Sequence, residues 1–263
     1  MNRFPRKPHH PQSGFSLVEI LVALTLGLVL LGGTIVIYAS SKNSYRLQEN
    51  VAGMQENARF AIFALRRDLE MAGYPLVNDI APFRVGGGDT GDNVNGGSDR
   101  ITIRYQSDTD CLGNGTPGTG PDEGIAVNRY FIDDNDNLAC LGNSRPNNPQ
   151  PLVENVVNMQ ILYGVDTDAD GGANRYVSAT QVEAGVISPG TPDWDRVVSL
   201  RVALLVASET AVDQPAAASG PSAPSISGPA TESFALLDEA ITRDDGRLYR
   251  VFTTTIPLRN RTS

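Results

Sequence analysis

The sequence predicts an α+β fold in which a long N-terminal helix packs on an antiparallel β-sheet. Residues 15–41 form a mostly apolar run, and a bilayer core needs roughly 20 residues of helix. Residues 42–74 continue as an amphipathic helix, with apolar side chains at steps of three and four. Residues 75–263 then alternate short β-type runs with loops rich in glycine and proline, which indicates a β-rich domain.

A basic leader, residues 1–14, precedes the apolar run and carries three cations and no acid. Positive charges ahead of an apolar span favour an orientation with the leader inside the cell, so the residues after about Ser41 are exported. A secretory signal has its apolar core before the cleavage site and loses it on cleavage. Here the candidate cleavage residue, Gly14, precedes the apolar run, so we expect the run to survive processing.

The residues at the end of the leader are Gly14, Phe15, Ser16, Leu17, Val18 and Glu19. This order, followed by an apolar helix, resembles the processing signal of a type IV prepilin. The resemblance implies that a membrane aspartyl peptidase cuts between Gly14 and Phe15 and that the new amine of Phe15 is N-methylated. It also implies that the helix packs in the centre of a filament.

Glu19 is the only charged side chain in the apolar run. An ionisable group inside an apolar helix is costly and is a functional candidate by default. We expect Glu19 to pair with the amine of Phe15 on a neighbouring subunit, where a low dielectric strengthens the attraction. This pairing would set the axial register of the filament. The alternative is that Glu19 lies near the interface and snorkels to the lipid headgroups.

The net charge argues against nucleic acid as a partner. The 263 residues carry a formal charge of −9, and loss of the three leader cations would take the mature chain to −12. An acidic surface releases no counterions from DNA or RNA, so we expect no direct nucleic-acid binding.

The two cysteines, Cys111 and Cys140, both lie in the exported region. An oxidising compartment favours a disulfide between them. Closing a loop of about 30 residues stabilises a domain by roughly 3–4 kcal/mol in the chain-entropy model.

The only histidines, His9 and His10, lie in the leader, so the mature chain would contain none. This removes Ser–His, Cys–His and His–metal chemistry. The sequence therefore predicts a protein that is not an enzyme, with no cofactor and no metal.

The apolar positions of the amphipathic segment define one helical face. They are Leu47, Val51, Met54, Ala58, Ile62, Leu65 and Leu69. The polar residues between them, Asp68 included, are predicted to face water. Gly73 followed by Pro75 is a stop signal, so we expect one helix from about Phe15 to Ala72.

Strands are predicted at residues 101–105, 125–132, 138–141, 158–165, 197–207 and 248–258. We expect them to form a one-layer sheet, with the strand at 197–207 in its centre. Residues 86–97 and 211–230 are predicted to be loops. The first loop contains three consecutive glycines but lacks the lysine and Ser/Thr of a phosphate loop, which argues against a nucleotide site.

Several segments resemble the PilW family of minor pilins. They are residues 55–61, 65–69, 71–74, 163–168 and 250–260. The resemblance implies a low-abundance subunit that helps to initiate pilus assembly at the tip, together with other minor pilins.

Asp166, Asp168 and Asp170 resemble the opening of a calcium loop, with oxygen ligands at alternate positions. The twelfth position, counted from Asp166, should be glutamate and is Val177. A solvated acidic turn is the better interpretation.

The turn at residues 133–137 fails the same test, with Ser144 in the twelfth position, and is predicted to be a plain hairpin tip. Trp194, the one tryptophan, is expected to pack at the edge of the core rather than to present a ligand platform.

We therefore predict a minor pilin of the type IV system. The expected partners are other minor and major pilins, the prepilin peptidase and methyltransferase, and the inner-membrane assembly machinery. The exported domain would lie in the periplasm before assembly and on the cell surface afterwards. Two alternatives remain: a minor pseudopilin of type II secretion, which has the same helix and signal, and a tip adhesin that binds calcium or a surface ligand through residues 166–170.

Overall fold

The structure, a computed structural model, describes residues 15–75, 80–95, 97–211 and 232–259. The leader with Gly14, and all of the predicted loop at residues 211–230 except Ala211, lie outside these ranges. The chain divides into two compact units, with the boundary between Gln48 and Glu49. Almost all of the described part of the first unit is helical, and the second contains the rest of that helix and all described strands.

The long N-terminal helix is confirmed, and α1 spans Leu17–Leu69. Within the described residues it is the only helix that is long and apolar enough to cross a membrane, by length and composition. The predicted stop signal operates at Gly73, whose φ of 78° is the left-handed conformation that favours glycine. The Gly73 amide then donates to the carbonyl of Arg104 at 2.8 Å instead of continuing the helix.

The part of α1 after Gln48 packs on the core through the predicted apolar face. Met54, Ala58 and Leu65 are all buried there. Asp68 was predicted to face water, and that prediction is wrong, because its side chain is only 2% exposed. Donors from the first sheet, described below, explain why a carboxylate is tolerated at this position.

Five antiparallel strands form the first sheet in the order β1-β2-β3-β4-β5. They are β1 (Gly91–Asn95), β2 (Ser98–Gln106), β3 (Ile125–Ile132), β4 (Leu138–Gly142) and β5 (Gln150–Val153). The predicted hairpin is confirmed as β3 and β4, in which Tyr130 lies opposite Cys140.

Four antiparallel strands form the second sheet in the order β11-β8-β6-β7. They are β6 (Val156–Val165), β7 (Arg175–Val177), β8 (Val197–Ala211) and β11 (Arg247–Pro257). A short helix, α2 (Ala179–Ala184), follows β7, and a single 3-10 turn (Trp194–Arg196) precedes β8. β8 has a partner on both sides, which confirms the central place predicted for its β-branched run.

A separate hairpin, β9 (Glu232–Leu236) and β10 (Glu239–Arg243), covers part of the second sheet. Leu204 of β8 belongs to the main core with α1, whereas its neighbour Leu205 packs in a smaller cluster with Leu236 of the hairpin. Successive side chains of a strand point to opposite faces, so β8 is buried on both faces. This explains why its sequence is continuously apolar rather than alternating.

The prediction of a single sheet is wrong, because the predicted strands divide between two sheets. Side chains of β2 occupy part of the free edge of β6. The Ser98 hydroxyl accepts from the Met159 amide at 3.0 Å and lies 3.2 Å from the Met159 carbonyl, to which it donates. The Asp99 carboxylate accepts from the Ile161 amide at 2.7 Å. Side-chain hydrogen bonds therefore join the sheets where a continuous backbone ladder would otherwise form.

The predicted loop at residues 86–97 is wrong in part, because it contains β1. This strand has little β-propensity of its own, and its Asp92 carboxylate accepts from the amides of Ala179 and Thr180 at 2.9 and 2.8 Å. Hydrogen bonds to a segment that is distant in the sequence therefore hold the strand, and the periodicity of its own residues does not indicate them.

Candidate functional site

The predicted assembly segment begins at Phe15, whose side chain is 80% exposed. Glu19 lies in the first turn of α1, where a negative charge is favourable beside the helix N-terminus. Its carboxylate forms no ion pair or hydrogen bond with another residue in the described part of the chain. The partner that we expect for Glu19 is therefore not supplied within those residues, and Gly14 lies outside them.

The large apolar side chains of the following turns are also exposed, from Leu17 at 75% to Tyr38 at 72%. A surface of this size and composition is unfavourable in water and indicates a membrane or another subunit as its environment. A helix satisfies its own backbone hydrogen bonds, so it can occupy either environment without further polar partners.

Cys111 and Cys140 form the predicted disulfide, with their Cα atoms 6.6 Å apart. Cys140 is buried in β4, and Cys111 lies in the loop after β2. The Cys111 amide also donates to Oδ1 of Asn128 on β3 at 3.0 Å. The loop is therefore attached to the first sheet by one covalent bond and by this hydrogen bond.

A buried polar cluster, Asp68 with Tyr105, Asn128 and Tyr130, lies between α1 and the first sheet. Oδ2 of Asp68 accepts from Nδ2 of Asn128 at 2.9 Å and from the Tyr130 hydroxyl at 2.5 Å. Nδ2 of Asn128 also donates to the Tyr105 hydroxyl oxygen at 3.1 Å. Burial, and then the charge of Asp68, raise the pKa of both tyrosines above the usual range, so their hydroxyls keep their protons.

The polar cluster was missed because Asp68 was assigned to the polar face by residue type. Position 68 lies seven residues after the buried Ala61, which places both on one side of the helix. That spacing is the signal that could have indicated burial, although it does not identify the donors on β3.

In the acidic turn, ligand atoms of Asp166, Asp168 and Asp170 lie within 4.8 Å of one another. The Asp166 carboxylate already accepts from the amides of Ala169 and Gly171 at 2.7 and 2.9 Å. Val177, which holds the position of the calcium-binding glutamate, is buried in the core. Hydrogen bonds within the turn account for its geometry. Asp168 and Asp170 are exposed, as a solvated turn requires, whereas Asp166 is buried, so the prediction is wrong for that residue.

The turn at residues 133–137 connects β3 and β4, as predicted. Oδ1 of Asp133 accepts from the amides of Asn135 and Asn137, both at 2.9 Å. These bonds make it a side-chain-stabilised hairpin tip.

Trp194 packs at the edge of the core, as predicted. Its ring centroid lies 5.6 Å from that of Phe83 and 5.1 Å from that of Tyr163. Its indole Nε1 donates to the Glu183 carboxylate at 2.6 Å. Both the apolar ring and its polar nitrogen therefore have partners within the domain.

Comparisons with known proteins bear on both ends of the chain. The prokaryotic N-terminal methylation motif matches residues 9–35. The family of type IV pilus-assembly protein W, PilW, matches residues 129–260, just over half of the chain. A solved type IV-like pilin from Thermus thermophilus is similar at 14% identity, covering 83% of this chain and 99% of that chain with a TM-score of 0.37. No curated protein matched.

An N-terminal methylation motif on an exposed apolar helix, followed by an α+β domain, defines a type IV pilin-like protein. The match over residues 129–260 goes further, and this chain belongs to the PilW family of type IV pilus-assembly proteins. Its role is that of a minor pilin, anchored in the membrane and later part of the pilus. Membership indicates a structural role, and it favours the pilus over a type II secretion system.

Proposed function

We propose that this minor pilin helps to initiate assembly of the type IV pilus as part of a tip complex with other minor pilins. The observation that carries the proposal is the methylation motif on an apolar run, residues 15–41, whose only charged side chain, Glu19, lacks a partner in the described chain. Major pilins and the inner-membrane assembly machinery are the other proposed partners. Residues 75–263 would face the periplasm before assembly and the cell exterior afterwards.

The first step of this function is processing between Gly14 and Phe15, followed by N-methylation of Phe15. Gly14→Leu should leave the leader attached, because a bulky side chain beside the scissile bond would obstruct the peptidase. The matched control is Ser13→Leu, one position further from the cut. Mass spectrometry of protein from peptidase-positive cells should show Phe15 as the methylated first residue of the wild type. A mature N-terminus after residue 35 would instead show an ordinary signal peptide.

The second step is docking, for which we propose that Glu19 pairs with the Phe15 amine of a neighbouring subunit. Glu19→Ala would remove one member of a buried pair, and such a loss costs about 3–5 kcal/mol because the other charge stays unpaired. This corresponds to roughly a thousandfold weaker docking at 1.4 kcal/mol per decade. Folding of the β-rich domain and cleavage at Gly14 should both persist.

The measurement is pilus number per cell, together with crosslinking to other minor pilins, in a strain with normal amounts of the variant. Glu56→Ala is the matched control, because Glu56 is an exposed glutamate on the same helix. Only Glu19→Ala should lose pili and crosslinks. Wild-type values for Glu19→Ala would show that this residue only snorkels to the headgroups.

A further inference from the structure

The outer face of the first sheet carries several arginines. β2 turns Ile103 into the core, so Arg100 and Arg104 point to the opposite face. Arg129 of β3 lies directly opposite Thr102, between these two arginines, and therefore belongs to the same face. A fourth guanidinium comes from the segment before β1, and we call the set the arginine cluster: Arg84, Arg100, Arg104 and Arg129.

Two aspartates neutralise the cluster only in part. Asp122 accepts from Nη2 of Arg84 at 2.9 Å and from Nη2 of Arg104 at 3.2 Å. Asp89 is hydrogen-bonded to Arg129 and lies 4.0 Å from Nε of Arg84. Four guanidinium groups against two carboxylates leave an excess of two positive charges, although the whole chain has a formal charge of −9.

Arg100 carries the unsatisfied part of this excess. Its guanidinium forms no hydrogen bond or ion pair with another residue in the described ranges, and its Nε is buried without an acceptor. Nε of Arg104 is also buried without an acceptor. Burial lowers the pKa of Arg100, and the positive charge of Arg129 lowers it further, although the charge of Asp89 opposes both effects. An unpaired guanidinium in a partly buried place is costly, so an anion beside it would be stabilising.

Gly88, the last residue of a glycine loop, Gly86-Gly87-Gly88, lies against the same arginine. A Cβ on Gly88 would fall 3.1 Å from Nη2 of Arg100. All three glycines have positive φ, at 79°, 57° and 84°. Within the described residues, none of their amides donates a backbone hydrogen bond. Gly88 therefore lies beside the guanidinium that lacks an acceptor, and its own N–H donates no backbone hydrogen bond within the described residues.

We propose that the arginine cluster and the glycine loop form a binding site for a phosphate group, centred on Arg100. A phosphate monoester or inorganic phosphate carries about 1.5 to 2 negative charges near neutral pH, which is of the same size as the excess of two. The planar guanidinium fork binds phosphate oxygens through parallel hydrogen bonds. The loop lacks the lysine and Ser/Thr of a phosphate loop, which argues against a nucleoside triphosphate as the ligand. A site for a single phosphate that is built from arginines does not need those residues.

Calorimetric titration of the full-length protein in an uncharged maltoside detergent, at constant ionic strength in chloride, tests this site with inorganic phosphate. The wild type should bind one phosphate per chain saturably. Arg100→Gln should weaken binding at least tenfold. Arg175→Gln is the matched control, because it removes one exposed arginine from β7 of the other sheet and should bind as the wild type does. Trp194 fluorescence reports whether each variant is folded.

Arg84→Gln is the second variant, because Arg84 is 39% exposed and its replacement spares the interior if Arg100→Gln does not fold. It should also weaken phosphate binding. The proposal would be overturned if the wild type bound neither free phosphate nor the phosphate of a lipid headgroup saturably. Equal binding by wild type and Arg100→Gln would overturn it too, because the phosphate would then bind elsewhere. Equal losses in Arg100→Gln and Arg175→Gln would also overturn it, because they would indicate a general charge effect.

Dihexanoyl phosphatidic acid, added below its micellar concentration, distinguishes a lipid headgroup from free phosphate, with dihexanoyl phosphatidylcholine as the neutral control. Arg100-dependent binding of phosphatidic acid alone would assign the site to a lipid headgroup. Binding of inorganic phosphate alone would assign it to a free phosphate. Binding of both would show that either source fits, and binding of neither would overturn the proposal.

Discussion

The buried polar cluster offers a sharp test of how α1 is attached to the first sheet. Asp68→Ala removes the acceptor of two buried donors, Nδ2 of Asn128 and the hydroxyl of Tyr130. Each buried donor left without a partner costs about 1–3 kcal/mol. The loss is offset by about 1 kcal/mol, because a carboxylate near a helix C-terminus interacts unfavourably with the helix dipole. The net expected destabilisation is about 3 kcal/mol.

The assay is urea unfolding of the full-length protein in maltoside, followed by the fluorescence of Trp194. This single tryptophan lies in the same compact unit as the polar cluster, so its signal reports the unfolding of that unit. The free energy of unfolding is obtained by linear extrapolation, with an unchanged urea dependence as the check on two-state behaviour.

Arg67→Ala is the matched control, because it changes the adjacent residue, whose side chain is 69% exposed. It loses only a surface contact to Asp68 and should cost less than about 0.5 kcal/mol. Tyr130→Phe removes one of the two donors and should cost about 1 kcal/mol. If Asp68→Ala is within about 1 kcal/mol of the wild type, the polar cluster does not hold the helix, and our reasoning is refuted.

Two further predictions concern the same domain. Replacing Cys111 and Cys140 with serine should lower the free energy of unfolding by about 3–4 kcal/mol, measured by the same urea assay. If both thiols of the wild type can be alkylated without reduction, the disulfide is contradicted. Burial raises the pKa of Asp99 from 3.8 to about 7. Hydrogen bonds from two backbone amides oppose this rise, and the charges of Asp92 and Asp238 add to it. The folded state therefore favours the protonated carboxyl, and its stabilising contribution is complete below about pH 4 and is lost as the pH rises through about 7. The urea midpoint should fall between about pH 4 and 7, and Asp99→Asn should reduce that slope. An equal slope in the variant would rule out Asp99 as the cause.

Local patterns were enough for the elements whose own residues decide their structure. The run at residues 15–41 is apolar on all sides, so it forms a membrane-compatible helix whatever follows it. The strands β3 and β8 were located because β-branched and aromatic residues are concentrated in them. β1 was missed because its polar sequence is held by contacts to α2.

By itself, the sequence determined the family, the apolar helix with Glu19, the amphipathic continuation and the order of the main strands, because each is encoded by residues close together in the chain. Only the tertiary structure decided that Asp68 is buried, that the strands divide into two sheets and that Arg100 lies unpaired beside a glycine loop. In the first two cases the decisive partner is distant in sequence: Asn128 lies 60 residues from Asp68, and Ile161 lies 62 from Asp99. Buried polar and charged groups need hydrogen-bond and charge partners from distant parts of the chain. The periodicity of the sequence does not identify those partners.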